Sequence, residues 1–348
     1  MFEALVTLCV LAAAGGETTT CRAVLLPGYA AETQAACEFA LRATPPGWLA
    51  AWDWAASCTA RPKPTLAFSE IAPGVFVHRG AIAEPDPDNG GDIANIAFII
   101  GAQSIAVIDA GSSRALGEQV YLAVRAHSAL PISHLILTHM HPDHVLGAAP
   151  LREAGAQVLG HPNLPRALSD RADTYQTNFA RLIGAEGFIG SRIIGPDRLI
   201  AAPESIDLGG RELRLSPWTT AHTATDLTVL DRASDILFAG DLMVHEMTPA
   251  LDGSLRGWRG VLADLEQLPA TLVVPGHGGP VLPWPDAAAP LARYLEVLET
   301  DTRAALDAGV SLGAATAMIG QSEAGNWPLF DLYNPRNATV AFTELEWE

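Results

Sequence analysis

The 348-residue chain exceeds one ordinary domain, and with 49% hydrophobic residues it can bury a large core. Its formal net charge of −18 works against a phosphate backbone, which argues against nucleic acid as a partner and against nuclease chemistry. Lys63 is the only lysine, so any anion clamp must be built from arginine.

Residues 1–16 hold an apolar core that ends in Leu11-Ala12-Ala13-Ala14-Gly15-Gly16, the pattern of an export signal. The positive charge that normally precedes such a core is missing, and a buried N-terminal segment is the alternative. The core is too short to span a bilayer and no other stretch reads as transmembrane, so a soluble, periplasmic protein is expected. With Cys9 inside the signal, Cys21, Cys37 and Cys58 remain, enough for one disulfide and one spare thiol. Residues 17–62 read as a small α+β module: a strand at 23–26, a helix at about 31–41 and a second strand near 48–56. Trp48, Trp52 and Trp54 would form its core, and Arg61-Pro62-Lys63-Pro64 is a linker.

Residues 63–282 carry the chemistry. Val75–Arg79 alternates like a strand, and 94–100 with 104–108 reads as a hairpin. The polar, turn-rich loop Glu84–Asp92 is either a lid or a plain solvated loop. A helix at 113–127 leads to the short apolar strand His134–Leu137, which runs into Thr138-His139-Met140-His141-Pro142-Asp143-His144. Imidazole and carboxylate at this density are the ligands of a catalytic zinc ion. His161, before Pro162, reads as core or rim. The helix at 163–184 carries Arg166, Arg171, Tyr175 and Arg181, which form a solvated face or a wall of a substrate pocket. Short strands at 211–215, 227–230 and 236–238 follow, with His222 and Asp241 at strand ends. His245 reads as pocket wall. Asp252–Trp258 could bring Arg256 and Trp258 to the site or cap a helix at 260–268. The last buried strand, 271–274, delivers His277. Residues 283–348 turn helical, at 287–308, 312–319 and about 337–345.

The Thr-His-x-His-x-Asp-His spacing resembles the signature of the metallo-β-lactamase superfamily. His222 in Thr220–Thr223, Asp241 in Phe238–Asp241 and His277 in Val274–Gly278 extend the match in order. The resemblance spans roughly Phe68 to Leu282 and implies an α/β fold, a metallo-β-lactamase-like αββα sandwich. The small module would precede it and the helical extension follow it. It further implies two Zn²⁺ ions: His139, His141 and His222 on the first, Asp143, His144 and His277 on the second, Asp241 bridging. Asp143 would also move a proton as a catalytic group. Asp109 matches an aspartate behind the ligands, and Asp226 a structural position. The implied reaction is attack by metal-activated water on an acyl-type bond of a small molecule.

Phe330–Asn337, the Gly253–Trp258 loop and the N-terminal module resemble the quinoprotein relay system zinc metallohydrolase branch, exported proteins associated with periplasmic quinoprotein dehydrogenase systems. Three other readings stay open. One is a true metallo-β-lactamase, another an iron-dependent oxidoreductase of the persulfide dioxygenase kind. The third is an accessory protein that binds metal without turnover.

Overall fold

The computed structural model describes residues 1–11 and 19–347. Two mixed sheets face each other. The first runs Arg198–Leu199, Gln157–Gly160, Ile132–Ile136, Ile105–Ile108, Ile96–Ile100, Val75–His78, Ser69–Ala72. Its later strands pair in parallel through helical crossovers and its earlier ones are antiparallel. The second runs Glu204–Asp207, Glu212–Pro217, Leu227–Asp231, Ile236–Val244, Leu272–His277, Leu282–Pro283. Only Ile236–Val244 and Leu272–His277 are parallel there.

Side-chain alternation explains the layering. Val75, Val77, Ala97, Ile99, Ala106 and Ile108 point inward, onto Leu213, Leu215, Val229 and Phe238 of the second sheet. Their strand neighbours Phe76, Phe98 and Val107 point outward and bury the helix Arg114–His127. The outer face of the second sheet is covered by Leu255–Leu265, Ala289–Asp307 and Phe330–Leu345. Helix, sheet, sheet, helix is the αββα sandwich expected. Among the described residues no helix is long and apolar enough to cross a membrane.

The N-terminal stretch differs from expectation. Phe2–Leu11 is a strand, paired antiparallel with Thr19–Ala31 on one side and Ser57–Ala60 on the other. Residues 12–16 of the expected signal lie outside the described residues. The reason is visible in Glu3: its buried carboxylate accepts from Arg61 Nε at 2.6 Å and Tyr121 Oη at 3.1 Å. No thiol is spare among the described residues, because Cys9 pairs with Cys21 and Cys37 with Cys58. The strand expected near 48–56 is instead a 3₁₀ turn, Gly47–Ala51, since Pro45-Pro46-Gly47 breaks pairing. The helix expected at about 31–41 is Gln34–Ala43. Trp52 and Trp54 pack on the module's core, and Trp48 does so while two guanidiniums, Arg114 and Arg192, lie over its ring.

The module is docked through charge. Arg114, fully buried, donates to Glu118 at 3.0 Å, to Glu153 at 2.5 Å and to the Leu25 carbonyl, while Arg22 reaches Glu118 at 2.6 Å. At the other end Phe330–Leu345 is one helix, longer than the 337–345 expected. Pro335 forgoes a single backbone bond inside it, and burial of Asn334, Asn337, Ala338 and Ala341 holds the helix together.

Candidate metal centre

The site lies where strands of both sheets end. His139, His141, Asp143 and His144 occupy the turn after Ile132–Ile136 and the short helix Pro142–Val145. His222 comes from the loop before Leu227–Asp231, Asp241 from within Ile236–Val244, and His277 ends Leu272–His277. All seven expected residues converge in two groups: His139, His141, His222 and Asp241, and beside them Asp143, His144 and His277. Asp241 touches both. Its carboxylate lies 3.7 Å from His139 Nε2, 3.5 Å from His222 Nε2, and 3.3 Å from both His144 Nε2 and His277 Nε2. Asp143 is 3.3 Å from His277 Nε2.

The far side of most rings is held, and this fixes which nitrogen faces the centre. His144 Nδ1 donates to Asp109 Oδ2 at 2.8 Å, and His277 Nδ1 to the Ile93 carbonyl at 2.8 Å. Thr138 Oγ1 gives its proton to Asp109 Oδ2, so it must accept from His139 Nδ1 at 3.0 Å. His141 Nε2 donates to Asp252 Oδ2 at 3.3 Å. With their outer nitrogens donating, His139 and His141 turn lone pairs inward. His141 Nδ1 sits 3.1 Å from His139 Nε2, two lone pairs whose crowding a cation relieves, and 3.0 Å from His222 Nε2.

Buried atoms agree with that fit. His144 Nε2 and Asp241 Oδ1 are shut off from solvent and form no hydrogen bond, a state that costs free energy unless another partner is supplied. Charge in the metal-free site is divided between the rings. Burial and neighbouring His141 push His222 down to about 3. Burial opposes charge on His277, but the Asp241 and Asp143 carboxylates carry it up to about 10. Clustered imidazoles and carboxylates suit a divalent metal with nitrogen and oxygen ligands, zinc foremost.

Backbone geometry is part of the site. Gly276 packs against Asp241 so closely that a Cβ would sit 1.9 Å from its Oδ1. Gly276→Ala is expected to displace that carboxylate, weaken metal binding and cost about 1–3 kcal/mol of stability as overpacking. Denaturant titration with metal analysis checks both effects.

Other sequence candidates fall into place around the centre. His161 is tied to the Trp218 carbonyl and the Asn163 amide, away from both groups. Asp226 holds Thr223 by two hydrogen bonds, and burial lifts it to about 7. His245 is half-buried and outside both groups. The expected helix at 260–268 starts earlier, at Leu255 behind Ser254, so buried Trp258 lies 5.0 Å from the His222 ring. Arg166 is a solvated face, whereas Arg171 reaches Asp252 at 3.3 Å.

One side of the centre opens into a cavity of about 440 Å³, with Phe179, Leu182, Val244, Met247 and Leu251 as apolar wall. Glu84 and Pro85 of the turn-rich loop line its edge, and the Tyr333 hydroxyl donates to Glu84 at 2.5 Å. Sequence reasoning missed the parts played by Asp252 and by Tyr333, Arg336 and Asn337, which bring the C-terminal helix into the cavity wall. The aromatic, polar character of Phe330–Asn337 was the available signal.

An αββα sandwich that gathers imidazoles and carboxylates at its strand ends is a metal-binding scaffold of defined class. The sequence profile described as the metallo-beta-lactamase superfamily matches residues 89–277, and the chain belongs to that superfamily. Over 233 residues it is 26% identical to the probable metallo-hydrolase YqjP of Bacillus subtilis (strain 168), spanning 58% of this chain and 72% of that protein. Among solved structures it is similar to a metallo-beta-lactamase from Pontibacter korlensis. That likeness has a TM-score of 0.54 at 20% identity, over 67% of this chain and 99% of the other. It is also similar to the sec-alkylsulfatase Pisa1 from Pseudomonas sp., with a TM-score of 0.60 at 17% identity, over 80% of this chain and 50% of the other.

Proposed function

We propose that the protein is an exported, dinuclear zinc hydrolase that cleaves an acyl-type bond in a small molecule: an ester, lactone, thioester or amide. The observation that carries this reading is the meeting of two ligand groups at Asp241 beside a largely apolar cavity. His139, His141 and His222 would hold one ion, and Asp143, His144 and His277 the other. Zinc bound there would supply a water acidic enough to react near neutral pH and a Lewis acid for an acyl oxygen.

The chain's own residues do the rest. The apolar wall excludes water and seats the substrate body. Asp143, at the cavity edge and held by His277, moves a proton to the leaving group. Asp252 and Asp109 keep the His141 and His144 rings in the required tautomers.

Export is supported by the two disulfides, which belong to oxidising compartments. The quinoprotein dehydrogenase system as the setting rests on the resemblance of Gly253–Trp258 and Phe330–Asn337, and co-purification with a dehydrogenase tests it. For the chemistry, elemental analysis of purified protein is expected to find zinc. A panel of esters, lactones, thioesters and amides, β-lactams included, should yield a substrate whose turnover stops on chelation. Iron in place of zinc, or no turnover across the panel by metal-loaded protein, would overturn the reading.

A further inference from the structure

Arg336 stands out among the groups that line the cavity. Tyr333, Arg336, Asn337 and Val340 fall on one face of Phe330–Leu345, at spacings of three and four residues, and all four line the cavity. Arg336 is the one guanidinium there, and it is exposed.

Nearby carboxylates are already committed. Glu84 accepts from Tyr333, while Asp252 is held by His141 and Arg171. Among the described residues no carboxylate pairs with Arg336; its recorded contact is with the Tyr333 ring, 5.8 Å from the guanidinium carbon to the ring centre. The ring is itself anchored through its hydroxyl, so the guanidinium has a fixed floor beneath it. Asn337, one residue on, donates to the Pro249 carbonyl at 2.6 Å and accepts from the Leu251 amide at 2.9 Å. That locks the helix against the far wall.

We infer that Arg336 is a substrate-positioning residue that grips a carboxylate at the end of an otherwise apolar acyl substrate. A planar guanidinium offers a two-pronged donor set that matches a carboxylate. The wall formed by Phe179, Leu182 and Met247 takes the apolar body between that end and the metal centre. The substrate class is thus an anionic acyl compound with an apolar body. Arg336 lies outside the residues 89–277 that match the superfamily profile, so this specificity belongs to the C-terminal extension. The inference deepens the hydrolase reading but does not depend on turnover for its test.

The probes are 4-phenylbutyrate and its uncharged isostere 4-phenylbutyramide, titrated calorimetrically into full-length protein of measured metal content. Wild type should prefer the acid. Arg336→Ala should lower that preference, the ratio of the two Kd values, tenfold or more, and Arg336→Lys should fall between. Because a carboxylate can also bind metal, only the change in the ratio counts. An unchanged ratio in Arg336→Ala, or no preference in wild type, overturns the inference. Should the alanine variant fail to fold, Arg336→Lys decides by the same ratio. The same comparison with 4-nitrophenyl hemiadipate and 4-nitrophenyl hexanoate separates the two readings. A lost preference in binding with neither ester cleaved would leave the anchor and remove simple esters from the acyl reading. Cleavage with an unchanged preference would do the reverse.

Discussion

Replacing Asp241 by alanine is expected to strip the centre of metal and to lower hydrolysis by at least about hundredfold. Its carboxylate approaches four of the five imidazoles within 3.3–3.7 Å, more than any other side chain of the site. Removing only a partner behind a metal ligand typically costs about 10–100-fold in metal affinity or activity, so losing a carboxylate shared by both groups should cost at least that much. Alanine fits the strand but leaves buried imidazoles without a counter-charge, so folding is read alongside metal content. His245→Ala is the matched control: the residue follows the same strand but lies outside both groups. Elemental analysis, with circular dichroism to confirm folding, reads the result. Metal retained by Asp241→Ala at the control's level would remove the bridging role.

Much of this site was legible because the ligands are local in sequence where it matters. His139, His141, Asp143 and His144 share one turn, and a turn after a buried strand can point them only toward the open end of the sheet. His222, Asp241 and His277 were legible as residues at strand ends, and their convergence needed the sandwich that the resemblance implied. Asp252 was not legible. It lies 111 residues from His141 in a loop whose distinctive residues drew attention to Arg256 and Trp258, and nothing local marks a carboxylate as the holder of a distant ring. Arg336 escaped for a related reason: its helix reaches the cavity by packing across the second sheet, and the helix was expected to start only at about 337. The opening strand shows the limit of hydropathy. A 10-residue apolar run fits a signal core or a buried strand equally well. The clue was Glu3, wrong for the charged start of a signal and right as the partner of Arg61 and Tyr121.

Asp109→Asn should retain the fold yet lose most of the metal, by about 10–100-fold in affinity, and the reason is the direction of proton chains. Asp109 sits at a left-handed φ of 61° just past Ile105–Ile108. Its carboxylate accepts from the Thr138 amide at 2.9 Å, the Thr138 hydroxyl at 2.8 Å and His144 Nδ1 at 2.8 Å. A carboxylate only accepts, so every proton on these chains points toward it and the outer nitrogens of His139 and His144 are the ones that carry a proton outward. An amide keeps the shape and can still accept from the Thr138 backbone. Its NH₂, however, would face Thr138 Oγ1 and His144 Nδ1. To avoid donor against donor, His144 would shift its proton to Nε2, the nitrogen that should bind metal. Thr138, now accepting, would donate to His139 Nδ1 and move that ring's proton inward as well. One amide thus mis-sets a ring in each ligand group. Asp109→Ala would also leave these donors unpaired, at about 1–3 kcal/mol each, so it confounds metal loss with unfolding. The asparagine variant separates the two. Metal content should fall while the denaturation midpoint of metal-free protein moves little. Wild-type metal content in Asp109→Asn would mean that the proton network does not set the ligands.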